Sequence, residues 1–214
     1  MAEVSVVILA GGQSRRLGMN KAFVEIDGRP LIRRVLDVVL PLTDDCIVVT
    51  NEPASFVHLP VRVVGDVYPG KASLGGIYSG LLAARAPHAL VVGCDMPFLS
   101  GPLLAYMIAQ AGGYDLVIPQ YDGFLEPLHA IYGKHCLPQM EALILANRLR
   151  ISDLLCEGRI RHITAAEIAH FDPSRLAFFN INTPDDLARA RALDELLRAG
   201  APVPPELLAQ GDAI

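Results

Sequence analysis

The chain has no Cys-x-x-Cys pair, and its four cysteines, Cys46, Cys94, Cys136 and Cys156, stand apart with no histidine at zinc-finger spacing. This argues against a disulfide framework and a structural zinc site, and leaves buried or idle thiols in a reducing compartment. Long hydrophobic runs are missing too: none reaches the roughly eighteen residues that a membrane span needs. The short apolar stretch from Val4 to Ala10 has nothing basic before it, and the polar GGQSRR follows at once, a pattern wrong for a secretory signal. A soluble, cytoplasmic protein without a membrane partner is expected. Positive charge is in deficit, with 18 Lys+Arg against 23 Asp+Glu and a formal net charge of −5. A broad nucleic-acid footprint needs the opposite balance, so nucleic acid is not an expected partner. Any anionic ligand must meet a local cluster of cations. Internal repeats and low-complexity segments are also lacking.

What is present is an alternation of two kinds of segment. With 214 residues, 52% of them hydrophobic, the chain can bury a full core as one unit. Short, near-continuously apolar runs at Val4–Leu9, Cys46–Thr50, Val61–Val64, Leu90–Cys94 and Leu116–Pro119 have the character of strands covered on both faces. Between them, Pro30–Leu40, Leu74–Ala86 and Pro102–Ala111 have helical spacing, the last with Ser100 as its cap. The alternation predicts a doubly wound α/β fold, three layers deep, around a mostly parallel sheet. The second half is less regular, with a strand around Pro127–Tyr132, a helix through Gln139–Ala146 and a strand at Arg159–Thr164. A late helix runs from Pro184 to Arg198, with Thr183 as N-cap, proline in the first turn, and Asp185 and Asp186 at its positive end. One domain over residues 1–198 and a flexible tail over 199–214 are expected.

The first chemical signal lies between Val6 and Ile32. A buried strand ends in Gly11-Gly12, where missing β-carbons let backbone N–H groups approach an anion. Arg15, Arg16 and Lys21 follow closely, in a chain whose overall charge is negative, and charge-assisted bonds from such groups neutralise polyphosphates. The segment lacks G-x-x-x-x-G-K-[ST] and does not read G-x-G-x-x-G, which lowers the weight of P-loop, kinase and dinucleotide readings. A glycine turn with solvated basic residues is the plain alternative. The second signal is VVGCDMPFLS, Val91 to Ser100, where a buried strand delivers Asp95 to its carboxyl end. That end faces the ligand crevice in open α/β sheets. A lone carboxylate there suits Mg²⁺, which binds through one or two carboxylates together with substrate phosphates; a turn or cap aspartate is the alternative.

The segment LAGGQSRRLGMNKA, Leu9 to Ala22, resembles the L-A-G-G-x-S-x-R-M-G-x-x-K signature of the molybdenum cofactor guanylyltransferase family, with Leu17 in place of methionine. The resemblance implies a GTP phosphate cradle at Leu9, Ala10, Gly11 and Gly12, a catalytic arginine at Arg16 and a phosphate-binding lysine at Lys21. C-D-x-P-x-[LI], matched at Cys94, Asp95, Pro97 and Leu99, is similar to the family's magnesium site and implies Mg²⁺ at Asp95. The resemblance extends more weakly to about Arg198. It implies guanosine contacts from Asn51, or from Thr50 one residue earlier, and from Asp66. SLGGIYSGL implies backbone contacts to the base around Leu74 to Gly76. NINTPDDL implies that Asn180 and Asn182 face the acceptor or the metal, although both are also ordinary turn residues before a capped helix. EPLHAIY, with Glu126, His129 and Tyr132, resembles the family's acceptor-side strand; His129 reads as a satisfied core histidine and is assigned no catalysis.

The implied activity is transfer of GMP from GTP to the phosphate of a molybdopterin-type acceptor, with pyrophosphate released. Partners are then the two small substrates, with room for transient contacts with cofactor-biosynthesis proteins or molybdoenzymes. Two alternatives stay open: a relative that uses CTP or another triphosphate on a different phosphorylated acceptor, and a non-catalytic nucleotide-binding module.

Overall fold

A computed structural model describes residues 4–11, 20–121, 123–156 and 158–208. The elements follow in chain order: β1 (Val4–Leu9), β2 (Glu25–Ile26), β3 (Arg29–Pro30), α1 (Leu31–Val39), β4 (Cys46–Val49), β5 (Arg62–Val64), α2 (Ala72–Ala83) and β6 (His88–Gly93). The second half continues with α3 (Gly101–Gln110), β7 (Leu116–Tyr121), β8 (Phe124–Leu125), β9 (His129–Gly133), α4 (Leu137–Leu145), β10 (Ile160–Ile163), α5 (Ala165–Phe171), α6 (Pro184–Arg198) and α7 (Pro205–Leu208).

The main sheet has strand order β10-β7-β9-β6-β1-β4-β5, with β8 paired to β7 at one side. Pairing is parallel from β6 through β1 and β4 to β5, and again between β10 and β7. Only β9, set between β6 and β7, runs antiparallel to both neighbours. The sheet is therefore mostly parallel, as the alternation predicts, and β2 and β3 form a separate small hairpin.

Strand periodicity divides the core. Val6, Ile8, Val48, Leu90 and Val92 point to the face covered by α1 and α3, where they pack with Ile32, Leu36, Leu103 and Met107. Val7, Ile47, Val49, Ala89 and Val91 point to the opposite face and pack under α2 and α4 against Leu74, Ile77, Leu81, Met140 and Ile144. Burying each large aliphatic side chain contributes roughly 1.5–3 kcal/mol, so the two faces anchor the sheet in its register. Gly80 is where α2 comes nearest: a β-carbon there would meet Val7 Cγ1 at 2.3 Å and Val49 Cγ2 at 3.1 Å. A third cluster ties Val24 and Leu31 to Phe179, Ile181 and Leu193, and Val203 and Leu207 pack against it.

Cys46, Cys94 and Cys136 are buried free thiols; the side chain of Cys156 lies outside the described residues. Among the described residues, no helix is long and apolar enough to cross a membrane.

Candidate functional site

The strand ends build the site. Leu9 of β1 stands opposite Gly93 of β6 and Val49 of β4, all in parallel register. Two backbone bonds carry the register past the strands: Ala10 N donates to Val49 O at 2.9 Å, and Cys94 N donates to Leu9 O at 3.1 Å. Parallel strands in register turn out of the sheet at the same level. Consequently the residues just after β1, β4, β5 and β6 border one crevice, where open α/β sheets bind ligands. It has a volume of about 680 Å³, and Leu9, Ala10, Gly11, Asn51, Asp66, Gly76 and Asp95 all line it. Gly12, Arg15 and Arg16 lie outside the described residues.

Lys21 reaches this crevice from a 3₁₀ turn over Lys21–Phe23. Asn20 caps the turn by accepting from Ala22 N at 3.1 Å and donates to Glu52 Oε2 at 3.1 Å, which fixes the lysine's point of departure. Lys21 Nζ then lies 3.0 Å from Asp95 Oδ2 and 2.6 Å from Asn182 Oδ1. Asn182 arrives from the far end of the sequence because Ile181 N donates to Asp95 O at 3.0 Å. The start of α6 holds it there: Asp186 Oδ2 accepts from the backbone N–H groups of Asn182 and Thr183 at 3.0 and 2.9 Å. These bonds keep the Asp186 carboxyl below the usual carboxylate range, against the opposing pull of partial burial.

Asp95 is shaped by its neighbour. A β-carbon on Gly93 would meet Asp95 Oδ1 at 2.5 Å, so the carboxylate folds over a position that only glycine leaves open. One carboxylate beside a polar crevice fits a hydrated Mg²⁺ that takes its remaining ligands from phosphate oxygens and water. Among the described residues there is no group of three or more His, Cys, Asp or Glu that could hold a metal ion. If the ion binds here, Asp95 is the residue that holds it.

Hydrogen bonding distinguishes several neighbouring residues; Thr50 and Asn51 both line the crevice. Thr50 is buried and engaged in its own turn, donating to Ala10 O at 3.3 Å and accepting from Glu52 N at 3.1 Å. Asn51 is exposed, with Nδ2 facing Gly11, and so has the side chain suited to a ligand. Of the paired asparagines, Asn182 lines the crevice, whereas Asn180 donates to Phe178 O at 2.9 Å. His129 is fully buried against the Phe178 ring, as a core residue should be, yet neither ring nitrogen has a hydrogen-bond partner among the described residues. Burial pushes its pKa down to about 3 and raises that of nearby Glu126 to about 7. Asn20, Gly93 and Ser79 escape the sequence reading; only Asn20, a capping residue type just before a signature lysine, carried a local signal.

Comparison with known proteins places this architecture. A family model described as the MobA-like NTP transferase domain matches residues 6–158. A protein of Pelotomaculum thermopropionicum named as a probable molybdenum cofactor guanylyltransferase is 36% identical over 200 residues, covering 94% of this chain and 98% of its own. A molybdenum cofactor guanylyltransferase of Desulfosudis oleivorans is 36% identical over 194 residues, covering 90% and 96%. The crystal structure of molybdopterin-guanine dinucleotide biosynthesis protein A from Archaeoglobus fulgidus superimposes with a TM-score of 0.79 at 30% identity, over 90% of this chain and 99% of that one.

Proposed function

Because the chain belongs to the MobA-like NTP transferase family and is a nucleotidyltransferase, we propose that it transfers GMP from GTP to the terminal phosphate of molybdenum-loaded molybdopterin in the cytoplasm. The observation that carries the reading is the register of Leu9 with Gly93, which brings the Gly11 turn, Lys21 and Asp95 to one crevice. Its support for guanine and for this acceptor comes from the relatives' names and from the sequence signature.

In the reaction an oxygen of the acceptor phosphate attacks the α-phosphorus of GTP in line. A new P–O bond forms, the bond between the α-phosphorus and the α–β bridging oxygen breaks, and the electron pair departs with pyrophosphate. A phosphate oxygen is already nucleophilic, so the site needs no general base, and catalysis rests on positioning and charge neutralisation. The backbone around Leu9–Gly12 cradles the phosphates. Lys21, with Arg16 assigned by the signature, neutralises charge on the α-phosphate and the leaving group. Asn51 and Asp66 contact the nucleoside, Gly76 approaches the base, and Asn182, which unlike Asn180 lines the crevice, faces the acceptor. Mg²⁺ held by Asp95 would supply further charge neutralisation to phosphate oxygens.

The test is incubation with GTP, Mg²⁺ and molybdenum-loaded molybdopterin, followed by mass analysis. A guanine dinucleotide product and pyrophosphate are expected. A preference for CTP, UTP or ATP in competition binding overturns the guanylyl assignment, and absence of transfer while GTP still binds leaves a nucleotide-binding module.

A further inference from the structure

Two parts of the crevice wall, Asp66 and the turn of α2 that carries Gly76, are joined through one hydroxyl. Ser79 lies one helical turn after Gly75 and is 2% exposed, too enclosed to be a ligand contact itself. Its Oγ accepts from Val67 N at 2.8 Å, and it stands 2.8 Å from both Asp66 Oδ1 and Gly75 O. A hydroxyl has one proton to donate. The carboxylate is the stronger acceptor, and Gly75 O, the residue one turn back, is the local alternative open to any helical serine.

Asp66 Oδ1 takes a second bond from Tyr68 N at 3.0 Å. Both donors act on the same oxygen, which fixes the plane of the carboxylate. Its other oxygen is then available to a ligand in the crevice that Asp66 and Gly76 both line. The packing leaves little slack, since a β-carbon on Gly75 would meet Tyr68 O at 2.9 Å and Asp66 Oδ1 at 3.4 Å. Ser79 thus links the helix that brings glycine backbone to the crevice with the loop that brings the carboxylate.

We infer that Ser79 is a positioning residue for nucleoside recognition, acting on the ligand through Asp66. This rests on the nucleotide reading above. The serine does not touch substrate; it holds Asp66 Oδ1, so that the free oxygen accepts from donors of the nucleoside at a fixed distance from Gly76.

The experiment is a double-mutant cycle on the full chain, read as GTP affinity in the presence of Mg²⁺ by calorimetry. Asp66→Asn is measured first and is expected to weaken GTP binding at least tenfold. Ser79→Ala in the wild-type background is expected to weaken it about tenfold, the scale of one lost hydrogen bond to a charged group. In the Asp66→Asn background the same change is expected to cost less than twofold, which a purely structural role for Ser79 would not produce. Equal losses in both backgrounds, or wild-type affinity in Ser79→Ala, overturn the inference. Unchanged GTP affinity in Asp66→Asn alone overturns the reading of Asp66 on which the inference stands, and the order of measurement separates the two failures. If Ser79→Ala does not fold, Ser79→Cys, close in size and a much weaker donor, carries the same cycle with the same expected pattern.

Discussion

Lys21 Nζ and Asp95 Oδ2 stand 3.0 Å apart although 74 residues separate them in sequence. The two are groups of opposite sign that both line the crevice in which the polyphosphate is proposed to bind. Side chains of both are only about one-fifth exposed, so the cost of desolvating them offsets much of their attraction and the pair adds little net stability. Asp95→Ala and Lys21→Ala should each slow pyrophosphate release by about 10²–10³, the usual cost of one preorganised charge contact. Melting temperatures should shift by only a few degrees. Because the groups act on one substrate, the double variant should lose less than the product of the single losses, which steady-state kinetics on the three proteins will measure.

Two glycines predict opposite outcomes for the same substitution. A β-carbon on Gly93 meets the crevice carboxylate, Asp95 Oδ1 at 2.5 Å, whereas one on Gly80 meets the core side chain Val7 at 2.3 Å. Gly93→Ala should displace Asp95 and reduce turnover at least tenfold with a modest change in stability. Gly80→Ala should push α2 off β1 and cost about 1–3 kcal/mol, the range for overpacking a filled core. Parallel denaturation and activity measurements should separate them.

The buried histidine makes stability depend on acid. His129 has a folded pKa of about 3 against 6.5 when unfolded, so the unfolded chain binds the proton more readily. Its contribution is fully present above pH 6.5 and is lost as pH falls from there to about 3, by up to about 1.4 kcal/mol for each pH unit. Glu126 acts in the other direction. Raised from 4.5 to about 7, it gives its full contribution below pH 4.5 and loses it as pH rises through 7. His129→Leu, which removes two unpartnered nitrogens, should therefore flatten the acid limb of denaturation curves below pH 6.5. Glu126→Gln should flatten the slope between pH 4.5 and 7.

The placement of Asn182 hangs on a helix cap. Thr183 accepts from Asp186 N at 3.1 Å, while Asp186 takes the Thr183 and Asn182 backbone N–H groups in return. Thr183→Ala should cost about 1 kcal/mol of stability. It should also loosen Asn182, and with it Lys21, so a fall in turnover larger than the loss of stability explains is expected from assays well below the melting temperature.

How legible all this was in the sequence depended on the range of the interaction concerned. The bounds of β1 and α6 match the reading because a near-continuous apolar run and a Thr-Pro-Asp-Asp start are local signals. Ser100 likewise caps α3 as expected, accepting from Leu103 N at 3.3 Å. Helix α5 was missed although Thr164 and Glu167 form a capping box, because Ile168 is its only buried residue and no apolar period marks it. The direction of β9 was not legible either, since an apolar run says that a strand is buried and nothing about which way it runs. At the site, the glycine turn, the carboxylate at a strand end and the family resemblance pointed to Gly11, Lys21 and Asp95, which line one crevice. Nothing in the sequence signalled that the Thr50 hydroxyl and the Asn180 amide bond to backbone, because only the folded turn supplies Ala10 O and Phe178 O to them. Ser79 was hidden for a related reason: its partner Asp66 lies 13 residues away, across the turn from β5 into α2.

The most direct test of the account is the affinity of GTP with and without Mg²⁺, measured for the wild type and for Asp95→Ala. If the glycine turn and Asp95 hold one magnesium–triphosphate between them, Mg²⁺ strengthens GTP binding in the wild type and that gain disappears in the variant. A variant in which Mg²⁺ strengthens binding as much as in the wild type would contradict the account.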